Sequence, residues 1–315
     1  CSSRAKAGWR PIGRRHARIL AAMGHEVAAA STRGDDAVRG GDGAEGARVV
    51  ARDVAGLLAA HRPDYVVIAS ATTRHGDDLA ALAAADYRGR VLVEKPLLAT
   101  TAALPATRFA AEGVGYNLRH HPLVVEARRR VGALGPLVAA EFDCGQHLAT
   151  WRPGADPRTT SSARRDLGGG VLRDLSHELD LALLLCGDWR SVAAGIGRVG
   201  DLGIETEDTA SLLVATDGCA SVRITIDYLR AERTRRFALE GEAGTLECDL
   251  VAGELRHGAD VVRAAPAPDA TYEAEHRAML EHDGEGVCTF AEAMRVVRLV
   301  DAAERAAAVQ RWIAA

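Results

Sequence analysis

From residue 14 to about residue 120 the chain alternates short apolar runs with Ala- and Leu-rich stretches of helical period. Residues 14–23 read as a helix ended by Gly24, 25–30 as a strand, and 54–60 as a short helix. Residues 64–69 read as a buried strand bounded by Pro63 and a turn at 70–73, and 75–85 as the next helix. Residues 91–93 form a strand that runs straight into Glu94-Lys95-Pro96, and 113–117 look like the last strand of this half. Apolar runs without strict alternation, separated by helices, are the pattern of a parallel sheet covered on both faces. The Gly- and Asp-rich segment 34–46 is expected to be a mobile loop.

Beyond about residue 137 the pattern changes to longer, alternating strands, at 137–142, 192–199, 210–215, 219–228, 235–240 and 245–249. Helices are predicted at 172–185, 273–281 and from 290 to about 309. The expected organisation is therefore α/β, and with a glycine turn at 8–13 leading into its first helix the N-terminal domain over 1–122 reads as Rossmann-type and dinucleotide-binding. A C-terminal α/β domain over 123–315 carries an open, mostly antiparallel sheet, one face covered and the other serving as a homo-oligomer surface. The terminal helix, 290–312, is long enough to pack back on the first domain.

A chain of 315 residues suits two packed domains better than one. Arg, Asp or Glu interrupts every Ala/Leu run before the roughly 18 apolar residues of a membrane span, so no membrane partner is expected. With 39 basic and 43 acidic side chains the net charge is −4, which leaves no positive field to hold nucleic acid. The run Arg128-Arg129-Arg130 reads as a solvated helix face. The cysteines at 1, 144, 186, 219, 248 and 288 show neither a CxxC pair nor a zinc spacing, and no secretory leader pattern opens the chain, so a cytoplasmic location is expected.

Three stretches carry chemistry. Gly8-Trp9-Arg10-Pro11-Ile12-Gly13 stands where a dinucleotide fold carries G-x-G-x-x-G, with Arg10 in place of the glycine that lets a pyrophosphate approach the backbone. That departure, and the absence of an apolar first strand over 1–7, suggest that the first ten or so residues are truncated or altered relative to a working enzyme. Past the next strand stand Ser31-Thr32-Arg33 instead of the acid that would hold the ribose hydroxyls of NAD. Arg33 could face a 2′-phosphate, which leans towards NADP, or be an ordinary surface Arg.

Glu94-Lys95-Pro96 lies at the carboxyl end of an apolar strand, where open α/β sheets place their ligands. Of the 39 basic side chains only Lys6 and Lys95 are lysines, and Lys can shift its proton where Arg does not. The third stretch runs from Gly168-Gly169-Gly170 to Asp174, His177, Glu178 and Asp180. On one continuous helix Asp174, His177 and Asp180 or Glu178 would share a face, giving a His flanked by carboxylates for acid/base work near neutral pH. The spacing is not the HExxH of a zinc site, so no metal is expected.

The ordered set formed by Ile12-Gly13-Arg14-Arg15-His16, 69–75, Glu94-Lys95-Pro96, Tyr116-Asn117-Leu118-Arg119 and the triple-glycine stretch resembles the Gfo/Idh/MocA oxidoreductases over nearly the whole chain. The segments 151–154 and 162–164 are similar to a branch linked to sugar and surface-polysaccharide biosynthesis. The resemblance implies NADP or NAD as cofactor and a secondary alcohol or ketone on a sugar, sugar derivative or cyclitol as substrate. Lys95 would hydrogen-bond the reacting oxygen, His177 would act as acid/base, and Asp174 would hold the substrate or orient the His. Many members place the His four residues after the Asp, whereas here the interval is three. Gly8, Ile12, Gly13, Ser31, Arg33, Thr72, Thr73, His75, Glu94 and Lys95 would lie along the cofactor. Asn117, Arg119, Trp151, Arg164, Asp174 and His177 would face the substrate. The rival expectation is a non-catalytic sugar- or nucleotide-binding member of the same fold with an impaired cofactor loop. A hydrolase is disfavoured by the absence of a G-x-S-x-G elbow.

Overall fold

A computed structural model describes residues 11–31, 47–152 and 154–315. The first half opens with helix α1 (Pro11–Ala22), strands β1 (Val27–Ala30) and β2 (Ala47–Ala51), and helix α2 (Val54–Ala60), whose N-terminus is capped by Asp53 accepting from the Gly56 amide. Strand β3 (Tyr65–Ile68), helix α3 (His75–Ala84) and strands β4 (Arg90–Val93) and β5 (Ala111–Val114) follow. All pairings here are parallel: β1 with β2, and β3 with β4 with β5. The expected mobile loop at 34–46 lies outside the described residues, while β2, directly after it, is a strand that the sequence pattern did not announce.

Helix α4 (Pro122–Arg130), with Pro at its first turn, leads to the second half. Strand β6 (Leu137–Gly145) comes next, then helices α5 (Val171–Asp174) and α6 (Ser176–Cys186). After them run β7 (Trp189–Gly197), β8 (Thr209–Thr216), β9 (Val222–Asp227), β10 (Thr234–Gly241), β11 (Gly244–Asp249), β12 (Glu254–His257) and β13 (Asp260–Arg263). Helices α7 (Ala270–Glu281) and α8 (Phe290–Val309) and the short strand β14 (Ile313–Ala314) close the chain. The nine strands form one sheet in the order β13-β12-β11-β10-β6-β9-β8-β7-β14, antiparallel throughout except for the β6–β9 pair. The β12–β13 hairpin and β14 extend the predicted sheet at both edges.

The β3–β4–β5 sheet is buried on both faces, as its unalternating sequence requires. Val66, Ile68, Val91 and Val93 pack with Leu79 and Leu82 of α3 in the main core. Leu92 and Ala111, with Tyr65 and Val67 against them, pack instead with Ala278 and Met279 of α7. The second face of the first sheet is thus covered by a helix from the last fifty residues of the chain. The α8 helix carries a full capping box, Thr289 with Glu292, and is tied to the first half through Asp301, which accepts from the Thr101 amide at 2.7 Å. Among the described residues no helix is long and apolar enough to cross a membrane.

Candidate active site

The carboxyl ends of β3, β4 and β5 share one edge, from which Ala69–Thr73, Glu94-Lys95 and Tyr116-Asn117 emerge. The first turns of α1 reach the same edge: a Cβ on Gly13 would stand 3.5 Å from the Ala69 Cβ, and His16 Nε2 lies 2.8 Å from Glu94 Oε1. Lys95 is held on both sides. Its amide donates to Glu94 Oε2 at 3.0 Å, while His75 Nδ1 donates to the carbonyls of Pro96 at 3.0 Å and Leu97 at 3.2 Å. The Lys95–Pro96 peptide is cis. From this anchored position the half-buried Lys95 ammonium crosses to the second half and donates to the main-chain carbonyl of Asp174.

The helix expected over 172–185 is broken there. Leu175 leaves helical geometry at φ −101° and ψ 27°, separating α5 from α6 and sending the carboxylates in different directions. Asp174 Oδ2 accepts from the Tyr228 hydroxyl at 2.8 Å, Glu178 pairs with Arg235 at 2.8 Å, and Asp180 pairs with Arg119. The expected His flanked by carboxylates is therefore corrected: each of these carboxylates has its own partner. His177 instead meets the ring of Tyr116 edge-on, centroids 5.6 Å apart, and its Nδ1 is buried without a hydrogen-bond partner. Burial first, then the positive charges of Lys95 and Arg235, hold the His177 imidazole well below its ordinary value, so it is neutral at physiological pH.

Tyr228, directly after β9, escaped the sequence reading because nothing local marks it. Burial and the charge of Asp174 push its phenol well above the ordinary value, so it stays a donor. Trp151 stands edge-on to Tyr228 at 5.3 Å between centroids, which ties it to the site through that phenol. The triple glycine is a steric requirement. A Cβ on Gly169 would lie 2.1 Å from the Ser161 carbonyl oxygen, and one on Gly170, at φ +116°, 2.2 Å from Glu207 Oε1. Next to them a Cβ on Gly168, at φ +74°, would stand 3.0 Å from the Thr72 Cβ.

The remaining expected positions fall into three groups. Gly8 and Arg33, with Arg10, lie outside the described residues. Ile12 and Gly13 form the first turn of α1, Ser31 is buried just past β1, and Thr73 is exposed near the edge. Asn117 and Arg119 are committed elsewhere: Asn117 donates to Thr271 Oγ1 at 2.7 Å, and Arg119 grips Asp180 with two nitrogens and reaches Glu292 with a third. Any ligand would compete with those bonds. Arg164 is exposed and paired with Asp166 at 2.6 Å, on the surface.

Behind Arg119 lies Glu275, fully buried, with neither carboxyl oxygen partnered. Burial, then the negative charges of Glu94 and Asp180, push it well above the ordinary carboxylate range. A carboxyl whose folded value is raised stabilises the fold at low pH, and that contribution is lost as pH climbs from the unfolded value towards the folded one. Glu275→Met is expected to raise stability by about 1–3 kcal/mol at neutral pH, with the gain shrinking towards pH 4, because two unpaired buried oxygens disappear. Thermal melts of both proteins across this range check it; a gain independent of pH would contradict the assignment.

Residues 7–115 match the family model described as the oxidoreductase family, NAD-binding Rossmann fold, and residues 124–247 match the GFO/IDH/MocA C-terminal domain. A levoglucosan dehydrogenase of Pseudarthrobacter phenanthrenivorans is 31% identical over 144 residues, 42% of this chain. That stretch is only 36% of the relative's length. Among solved structures, a levoglucosan dehydrogenase in complex with NADH superposes with a TM-score of 0.81 at 18% identity, covering 98% of this chain and 97% of the other. GenD2 from gentamicin A biosynthesis, in complex with NAD, gives 0.76 at 22% identity, covering 96% and 93%. At these identities the superpositions show a shared fold.

Proposed function

The chain belongs to the GFO/IDH/MocA oxidoreductases, and from that premise we propose an NAD(P)-dependent dehydrogenase or reductase that interconverts a secondary alcohol and a ketone on a sugar, sugar derivative or cyclitol. One observation carries the proposal. The Lys95 ammonium, delivered from the carboxyl end of β4, meets the α5–α6 junction beside a neutral His177 whose Nδ1 has no protein partner. A pure binder has no need of a proton donor and a proton acceptor held together in this way.

The residues at the β3–β5 edge fit a nicotinamide dinucleotide. The amino end of α1 stands there, where backbone N–H groups and the helix dipole favour a pyrophosphate, with Thr72, Thr73 and the Glu94-Lys95 turn alongside. When bound, the nicotinamide supplies or accepts the hydride. In the oxidising direction Lys95 donates a hydrogen bond to the substrate oxygen as negative charge builds on it. The hydroxyl proton passes to His177 Nδ1, and in the reducing direction the same proton returns to the oxygen. Asp174 fixes Lys95 through its carbonyl, and its carboxylate, held by Tyr228, is positioned for a substrate hydroxyl.

The levoglucosan dehydrogenases similar to this chain in sequence and fold support a sugar-type substrate. The choice between NADP and NAD rests on Arg33. The outward face of the large sheet, where Ser211, Leu213, Arg223 and Glu141 are exposed, is our candidate for self-association. The five described cysteines are all free and buried, which suits a cytoplasmic setting. Titration of the folded chain with NADPH and NADH, followed by nicotinamide fluorescence, is expected to show binding of one and then turnover on a panel of sugars and cyclitols. Absence of binding by both would sink the catalytic reading, and repeating the titration on Arg10→Gly would show whether that residue is the cause.

A further inference from the structure

Four buried or half-buried polar side chains, drawn from α1, β3, α7 and the end of β4, are joined head to tail. The Tyr65 hydroxyl lies 3.0 Å from His276 Nδ1, His276 Nε2 lies 2.9 Å from His16 Nδ1, and His16 Nε2 lies 2.8 Å from Glu94 Oε1. Glu94 Oε2 in turn accepts the Lys95 amide at 3.0 Å. With neutral rings the hydrogens have one consistent direction: Tyr65 donates to His276, His276 to His16, and His16 to the Glu94 carboxylate. Both histidines are fully enclosed, His276 at 0% and His16 at 2% exposure, so no water replaces a missing partner. Gly115 leaves room for the carboxylate, since a Cβ there would stand 3.3 Å from the Glu94 Cδ.

We propose that His16 and Glu94 are positioning residues for Lys95: the donor chain ends on the Glu94 carboxylate, and that carboxylate fixes the Lys95 backbone and sets a negative charge beside its ammonium. This rests on the reading of Lys95 as the group at the reacting oxygen. The titratable groups facing Glu94 are His16 from α1, Tyr65 from β3, His75 from α3, Tyr272 and Glu275 from α7, and Lys95 itself. Burial works against ionisation of Glu94. The His16 hydrogen bond, with the charge and the amide of Lys95, outweighs it and holds the carboxyl below its ordinary value.

His16→Leu removes the largest of the groups that oppose burial, so the Glu94 carboxyl rises and is expected to hold a proton at pH 7. A buried protonated carboxyl band, additional to that of Glu275 in the wild type, should then appear in the infrared spectrum at pH 7 and vanish in His16→Leu/Glu94→Gln. The acid limb of the kcat profile should move up by several pH units, since burial alone raises a fully buried carboxyl by up to about 3–5 units. His16→Gln, which retains a donor in a similar place, should restore both. No added carboxyl band in His16→Leu, or an added band with an unmoved kcat profile, overturns the proposal. Should His16→Leu fail to fold, Glu94→Gln serves: it should depress kcat while removing whatever acid limb the wild type shows. An unmoved limb there overturns the proposal too. The infrared arm needs no turnover, so a wild type that binds no nicotinamide refutes the catalytic reading without deciding this one.

Discussion

Replacing Lys95 with alanine is expected to lower kcat by roughly 10²- to 10³-fold, the range for loss of one positioned donor to a developing negative oxygen, while circular dichroism shows an intact fold. The argument starts from the strand. β4 is buried on both faces, and the residues just past its carboxyl end are held by Glu94 from one side and His75 from the other, so the Lys95 side chain has one direction in which to extend. That direction ends at the α5–α6 junction, where the ammonium is the positive group next to His177. Lys95→Arg is expected to fail as well, because a guanidinium does not share its proton and its planar fork does not fit a single carbonyl. The alanine variant carries a second signature. Lys95 is one of the charges that hold the His177 imidazole low, behind burial and ahead of Arg235. Without it His177 gains a proton at higher pH, so residual activity should fall away earlier as the medium is acidified. Steady-state rates across pH test both parts, and a variant with near-normal kcat would remove Lys95 from the mechanism.

Much of this site was visible in the chain because its markers are local. A lysine at the end of an apolar strand, in a chain with one other lysine, draws attention without any structure. The sequence pattern placed α2 and α8 at the residues where they occur, and in α8 a regular apolar stripe makes the helical period plain. What stayed hidden depends on residues distant in sequence. The break at Leu175 arises where Lys95, Tyr228 and the Gly170–Glu207 contact all converge on a short segment, and nothing in the helical period of 172–185 encodes it. Once the helix breaks, the spacing of Asp174, His177 and Asp180 no longer says which of them meet. The pairing of His16 with His276 spans 260 positions. The role of α7 as cover for the first sheet likewise follows from the otherwise bare face of Tyr65, Val67 and Leu92, not from α7's own sequence.

Arg119 separates a substrate-facing role from a structural one. Its guanidinium is buried, grips Asp180 from two nitrogens with the shortest contact at 2.6 Å, and reaches Glu292 at 3.1 Å. Glu292 belongs to the capping box of α8 and Asp180 to α6, so this one side chain ties the segment after β5 to both helices. Burial pushes the Asp180 carboxyl up against the pull of Arg119, and removal of the guanidinium leaves burial unopposed. Arg119→Met is therefore expected to cost about 3–5 kcal/mol, the loss typical when one partner of a buried ion pair is removed. The sign with pH follows. In the variant the folded Asp180 value lies above the unfolded one, so the destabilisation grows as pH rises and eases as Asp180 takes up a proton in mild acid. Adding Asp180→Leu should recover much of the loss, because the uncompensated carboxyl is gone. Denaturant melts at pH 5 and pH 8 on the single and double variants, with KM for whichever compound of the proposed class is turned over measured alongside, decide the matter. A fall in melting stability with KM nearly unchanged marks Arg119 as the tie between β5 and the two helices, and the reverse pattern would return it to the substrate.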